Sequence, residues 1–133
     1  MQFKINKITP ILNVTSIEEN LEFWEKNLGY EATVKVPGAD NKIGFVILVK
    51  GESEIMLQTT KSIEEDFHVA PEIAKAQVLL YADVDSIEAI EKSLQSENII
   101  VPRRKTFYGA LEVWAKDTSG KIIGFAQKAE ELG

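Results

Sequence analysis

Val14-Thr15-Ser16-Ile17-Glu18 returns seventy residues later as Val84-Asp85-Ser86-Ile87-Glu88, matching at four of five positions. Each copy stands where an apolar, β-branched run gives way to a helical period. Before the first copy, residues 8–14 read as a strand. Ser16 with Glu19 then forms a capping box, which starts a helix near Ile17. Leu21, Trp24 and Leu28 recur every three to four residues and give that helix one apolar stripe, with Gly29 as its left-handed stop. Strands follow at 31–36, 44–50 and 54–59, parted by the turn sequences Pro37-Gly38-Ala39-Asp40 and Lys50-Gly51-Glu52.

The second copy opens the same order. A strand at 78–81 leads to a possible capping box of Asp85 with Glu88 and a stripe of Ile87, Ile90 and Leu94. Strands at 99–102, 110–115 and 121–127 complete it, the last preceded by the turn Asp117-Thr118-Ser119-Gly120. The reading is one α+β domain over 1–133, built from two β-α-β-β-β modules at 6–60 and 76–128. The connection at 61–75 shows no sustained stripe and reads as a solvated crossover with a short helical turn, or as a flap with Phe67 and His68 turned inward.

Composition limits the chemistry. A chain of 133 residues, 44% apolar and 27% charged, fits one globular domain. Fifteen basic against 21 acidic residues leave a net charge of −6, which repels phosphate backbones and anionic lipid, so neither nucleic acid nor membrane is an expected partner. The absence of Cys removes disulfides, thiolate ligands and a Cys nucleophile, and the single histidine, His68, removes sites that need several imidazoles. No apolar run approaches the roughly 20 residues of a membrane span, and the first residues lack a signal-type apolar region, so a cytoplasmic protein is expected.

The paired modules, the segment Leu21-Glu22-Phe23-Trp24-Glu25-Lys26-Asn27-Leu28-Gly29-Tyr30, and Tyr108-Gly109 through Asp117-Thr118-Ser119-Gly120-Lys121 resemble the vicinal-oxygen-chelate superfamily of glyoxalases, bleomycin-resistance proteins and dioxygenases. The resemblance covers about residues 6–128, with Asp-Thr-Ser-Gly departing from the family's usual Asp-Pro-x-Gly turn. It implies a curved sheet around a cavity, with helices on the convex face, and a homodimer. Metal-dependent members take ligands from the first and fourth strands of each module. Those positions fall here on Thr9, Ala76, near Met56 and on Gly124, a set without a competent hard-metal ligand. No metal and no cofactor is therefore expected, and the chain looks most like the metal-free bleomycin-resistance branch.

Under that resemblance, strand parity selects the candidates. Pro10, Leu12 and Val14 face the helix and leave Thr9, Ile11 and Asn13 toward the cavity. Leu111, Val113 and Ala115 face the helix and leave Glu112 and Trp114 inward. Trp114 offers a ring for a flat or cationic ligand, and Glu112 a carboxylate beside it. Asn13 offers a donor and an acceptor, Met56 an adaptable apolar wall, and Tyr108 a contact at the cavity rim. Each also has a structural role open to it: sheet packing for Trp114 and Met56, ion pairing with Lys116 for Glu112, main-chain bonding for Asn13, strand-end packing for Tyr108. Arg103-Arg104-Lys105 reads as a solvated basic run able to hold one carboxylate or phosphate. The expected function is binding of a small cationic or aromatic molecule, with no catalytic residue assigned. The other class left open is an enzyme of the superfamily, a lyase, isomerase or dioxygenase, with a relocated metal or with Glu112 as general base.

Overall fold

Ser16 and Ser86 carry the repeat into three dimensions. In the computed structural model, which describes residues 2–128, each serine lies in extended backbone and its hydroxyl accepts the N–H three residues on, from Glu19 at 3.3 Å and Ala89 at 3.1 Å. Each helix starts at the next isoleucine. The order is β1 (Ile5–Val14), α1 (Ile17–Leu21), β2 (Glu31–Pro37), β3 (Ile43–Lys50), β4 (Ser53–Thr59), α2 (Thr60–Asp66), β5 (Val78–Val84), α3 (Ile87–Ser93), β6 (Ile99–Lys105), β7 (Leu111–Lys116) and β8 (Ile122–Gln127). The expected pair of β-α-β-β-β modules is thus what the chain forms. Its described residues fall into two units, 9–78 and 2–8 with 79–128.

In the unit 9–78 the strands lie in the order β2-β3-β4-β1, antiparallel except for β1 beside β4. Ile17 packs with Val46, Leu48, Ile55 and Leu57, and Leu12, Val14, Leu21 and Trp24 join them, so β1 turns the expected residues to its helix. The stripe loses its last member. After α1 the chain widens into a π-type turn at Glu22–Asn27, where Leu28 N–H donates to the Phe23 carbonyl five residues back at 3.2 Å. The wider turn rotates Phe23 and Leu28 off the core, and both are exposed. Gly29 then takes the left-handed conformation expected of it, φ 79°.

The connection is folded rather than solvated. α2 and a short 3-10 turn at Pro71–Lys75 bury Ile63, Phe67, Ala70 and Ile73. These recur at steps of four, three and three, a helical stripe masked in the sequence by the acids between them. Phe67 is buried within this stripe. His68 is exposed, beside Glu64, Pro71, Ala74 and Lys75 at a half-open surface cavity of about 310 Å³.

In the other unit the order is β5-β8-β7-β6, again antiparallel except for β5 beside β8. Ile87 and Ile90 of α3 pack on Ala82, Val84, Val113, Ala115 and Phe125. The helix cap is Ser86 and not the expected Asp85. The Asp85 carboxylate instead accepts the Lys4 N–H at 2.8 Å, which leaves the serine one residue later to meet the first turn. Ahead of β8, Asp117 Oδ1 accepts the N–H groups of Ser119 and Lys121, and these hold its carboxyl below the usual range, Lys121 foremost.

Candidate functional site

Leu111, Val113 and Ala115 commit one face of β7 to the α3 core, and the alternation sends Glu112 and Trp114 to the opposite face. What stands around them depends on an irregularity in β6. Val101 pairs with Trp114, yet Arg104 rather than Arg103 pairs with Glu112, so β6 spends three residues where β7 spends two. Pro102, which has no N–H for a ladder, lies within this bulge. The extra residue puts Arg104 on the Glu112 face, while Arg103 pairs with Glu91 of α3.

Glu112 is 1% exposed and accepts from four side chains. Its Oε1 takes Arg104 Nη2 at 2.9 Å, Arg104 Nε at 3.1 Å and Trp114 Nε1 at 2.9 Å. Its Oε2 takes the Tyr108 hydroxyl at 2.7 Å and a short bond from the Tyr81 hydroxyl. Burying a carboxylate costs several kcal/mol, and this ring of donors with one guanidinium is what offsets that cost. Enclosure of the hydroxyl ends, and then the neighbouring Glu112 charge, push both phenols well above their ordinary value near 10, so each keeps its proton as a donor.

Trp114 lies flat over a missing side chain. Tyr81 and Trp114 flank Gly124 on the neighbouring strands, and a Cβ built on Gly124 would stand 2.5 Å from Trp114 Cε2 and Cζ2. The indole, 2% exposed and 5.9 Å from the Tyr81 ring, thus fills the space a larger residue at 124 would need. It forms the floor of the cluster and presents no free face. The rim is aromatic. Tyr108 is 56% exposed and Phe107 86%, their rings edge to face at 5.1 Å on the β6–β7 turn.

The structure therefore brings Glu112, Trp114 and Tyr108 into one bonded cluster and adds Arg104 and Tyr81, which the sequence reading did not place there. The basic run lies in β6: Arg103 and Lys105 are exposed as expected, while Arg103 pairs with Glu91 and Arg104 with Glu112, both carboxylates of this chain. The expected Lys116 partner of Glu112 is replaced by Arg104. Asn13 and Met56 belong to the unit 9–78. Met56 pairs with Ile11 and is buried. Asn13 is given to the main chain, as its structural alternative had it: Nδ2 donates to the carbonyls of Ala74 and Ala76 at 2.9 Å each, and Oδ1 accepts from Thr60 Oγ1 at 2.5 Å. Asn13→Ala leaves two part-buried carbonyls without this donor. We expect a loss of about 1–3 kcal/mol in urea unfolding, with amide exchange at 70–76 rising most. Unchanged exchange there would contradict this role.

The metal positions can be tested on the same geometry. Under the offset of 70, the counterpart of Thr9 is Leu79 in β5, not Ala76, which ends the 3-10 turn outside the strand. Met56 and Gly124 are true counterparts, since they pair with Ile11 and Tyr81. Thr9 Oγ1 donates to Glu54 at 2.9 Å, Leu79 and Gly124 have no donor atom, and the indole covers Gly124. This set does not fit a hard metal. Among the described residues no three His, Cys, Asp or Glu side chains gather as a metal-binding group.

The model of the Glyoxalase/Bleomycin resistance protein/Dioxygenase superfamily matches residues 4–125. No curated protein matches the chain. Among solved structures it is similar to a superfamily member from Vibrio splendidus 12B01 (18% identity, TM-score 0.70, 92% of this chain and 98% of that one). It is also similar to methylmalonyl-CoA epimerase from Mycobacterium tuberculosis (16%, 0.68, 96% and 91%) and to a hypothetical protein from Bacillus halodurans C-125 (22%, 0.65, 96% and 96%). At these identities the likeness shows the fold alone. Among the described residues no helix is long and apolar enough to cross a membrane.

Proposed function

Because the chain belongs to the glyoxalase/bleomycin resistance protein/dioxygenase superfamily, we propose that it is a metal-free small-molecule binding protein of the bleomycin-resistance-like kind. Its binding surface is the aromatic rim of Phe107 and Tyr108 above the Glu112 cluster. The observation that carries this reading is the indole of Trp114 lying on Gly124 and bonded to Glu112. Where the metal-dependent pattern takes a ligand, this chain keeps a glycine and roofs it with its own ring, leaving a rigid base beneath the rim. The rim favours a flat aromatic ligand. A cation held by Glu112 alone is disfavoured, because Arg104 already neutralises that carboxylate. The same saturation speaks against Glu112 as a general base, which would first have to shed its donors. The reading includes a cytoplasmic protein and a homodimer, whose mass by light scattering would be twice 14.9 kDa; exposed Phe23, Leu28 and Val34 supply apolar surface for it.

The test is a tryptophan fluorescence titration of metal-analysed protein with aromatic compounds, cationic and neutral, including a bleomycin-type antibiotic. We expect a saturable change in the wild type that disappears in folded Trp114→Phe, which retains Trp24, with less than stoichiometric metal in the sample. Stoichiometric metal, with no response to any compound, would overturn the reading.

A further inference from the structure

Three oxygens at the rim form a closed triangle. The Tyr81 hydroxyl touches Glu112 Oε2, the Tyr108 hydroxyl lies 2.7 Å from the same oxygen, and the two hydroxyls are 2.9 Å apart. A phenol carries one proton and a carboxylate oxygen facing donors carries none, so two protons serve three contacts. One edge of the triangle is always without its hydrogen. Tyr81 is the deeper of the two phenols, half-buried, and its hydroxyl is bonded to Glu112 and lies beside the other hydroxyl. Tyr108 is 56% exposed. With Tyr81 donating to Oε2, the Tyr108 proton is the redundant one, and turning it outward costs the cluster one of two bonds to an oxygen that keeps the other.

We propose that Tyr108 is the ligand-facing donor of this site and that the ligand offers it an oxygen acceptor of the carbonyl type on a flat aromatic frame, rather than a cation. The proposal rests on the binding reading above and narrows its ligand class. The other groups agree with it. Oε1 is filled by Arg104 and Trp114, so the outward face of the cluster has a hydroxyl to give and no vacant carboxylate lone pair for an ammonium. Phe107, edge to face with Tyr108, supplies the neighbouring apolar contact.

The experiment compares 2-acetylnaphthalene, 2-ethylnaphthalene and 2-naphthylmethylammonium on wild type, Tyr108→Phe and Tyr81→Phe, read by the Trp114 indole resonance and by thermal unfolding. In the wild type the acetyl compound is expected to bind about 3- to 10-fold more tightly than the ethyl compound, and more tightly than the ammonium. Tyr108→Phe should erase the acetyl preference and leave ethyl affinity unchanged. Without ligand, Tyr81→Phe should lower Tm by about 4 °C and Tyr108→Phe by less, since the second leaves Oε2 its deeper donor. Preference for the ammonium, or an acetyl preference that survives Tyr108→Phe, overturns this inference and leaves the binding reading standing. Should no probe move the indole resonance, the binding reading falls and this inference with it. If Tyr81→Phe does not fold, the affinities in Tyr108→Phe decide alone.

Discussion

Glu112→Ala is expected to destabilise the protein by about 3–5 kcal/mol in urea unfolding. The substitution removes the carboxylate that pairs with the half-buried Arg104 head group and that accepts from the Trp114 indole and two phenols. The loss comes from stranded donors, not from lost volume. Glu112→Gln separates the two causes, because it keeps the shape and turns an N–H₂ group toward neighbours that also donate; a loss of about 1–3 kcal/mol is expected for it. A cost below about 1 kcal/mol for Glu112→Ala would show that the cluster is not the tightly bonded node described.

Gly124→Ala is expected to cost about 1–3 kcal/mol although it adds a single methyl group. The backbone at this position is not in the left-handed region that glycine alone favours, so space is the whole argument. The new Cβ would meet the indole at 2.5 Å, and the ring is held in place by its bond to Glu112 and by the Tyr81 ring beside it. Removing the obstacle should remove the penalty. In a Trp114→Ala background, itself about 3–5 kcal/mol less stable, Gly124→Ala should be close to neutral, giving a coupling of roughly 1–3 kcal/mol. An equal cost in both backgrounds would place the strain elsewhere.

Much of the scaffold could be read from residue order. Ser16 caps its helix, Leu12, Val14, Val113 and Ala115 all turn to the helices, and Glu112 and Trp114 turn away, because period-2 alternation and capping are local properties. What escaped was decided by partners distant along the chain. The cap at Ser86 rather than Asp85 depends on Lys4, and the commitment of Asn13 depends on carbonyls more than sixty residues away. Arg104 as partner of Glu112 was hidden by the bulge, for which Pro102 inside a predicted strand was the available sign. Tyr81, expected at the end of a strand, lies within a longer one, and its reach to Glu112 across Gly124 has no signature in sequence spacing. The folded connection did have one. Ile63, Phe67, Ala70 and Ile73 keep helical spacing, but charge and a proline between them obscured it.

On the proposed reading, Trp114 occupies the metal position of this superfamily scaffold and small molecules bind at the rim above Glu112. The most direct test of that reading follows the two indole N–H resonances, of Trp24 and Trp114, while zinc and then 2-acetylnaphthalene are added to the same ¹⁵N-labelled sample. The account predicts that zinc moves neither resonance and that the aromatic compound shifts Trp114 saturably, through Tyr108 and Glu112, while Trp24 stays in place. A stoichiometric shift of Trp114 on adding zinc, with no response to the aromatic compound, would contradict it.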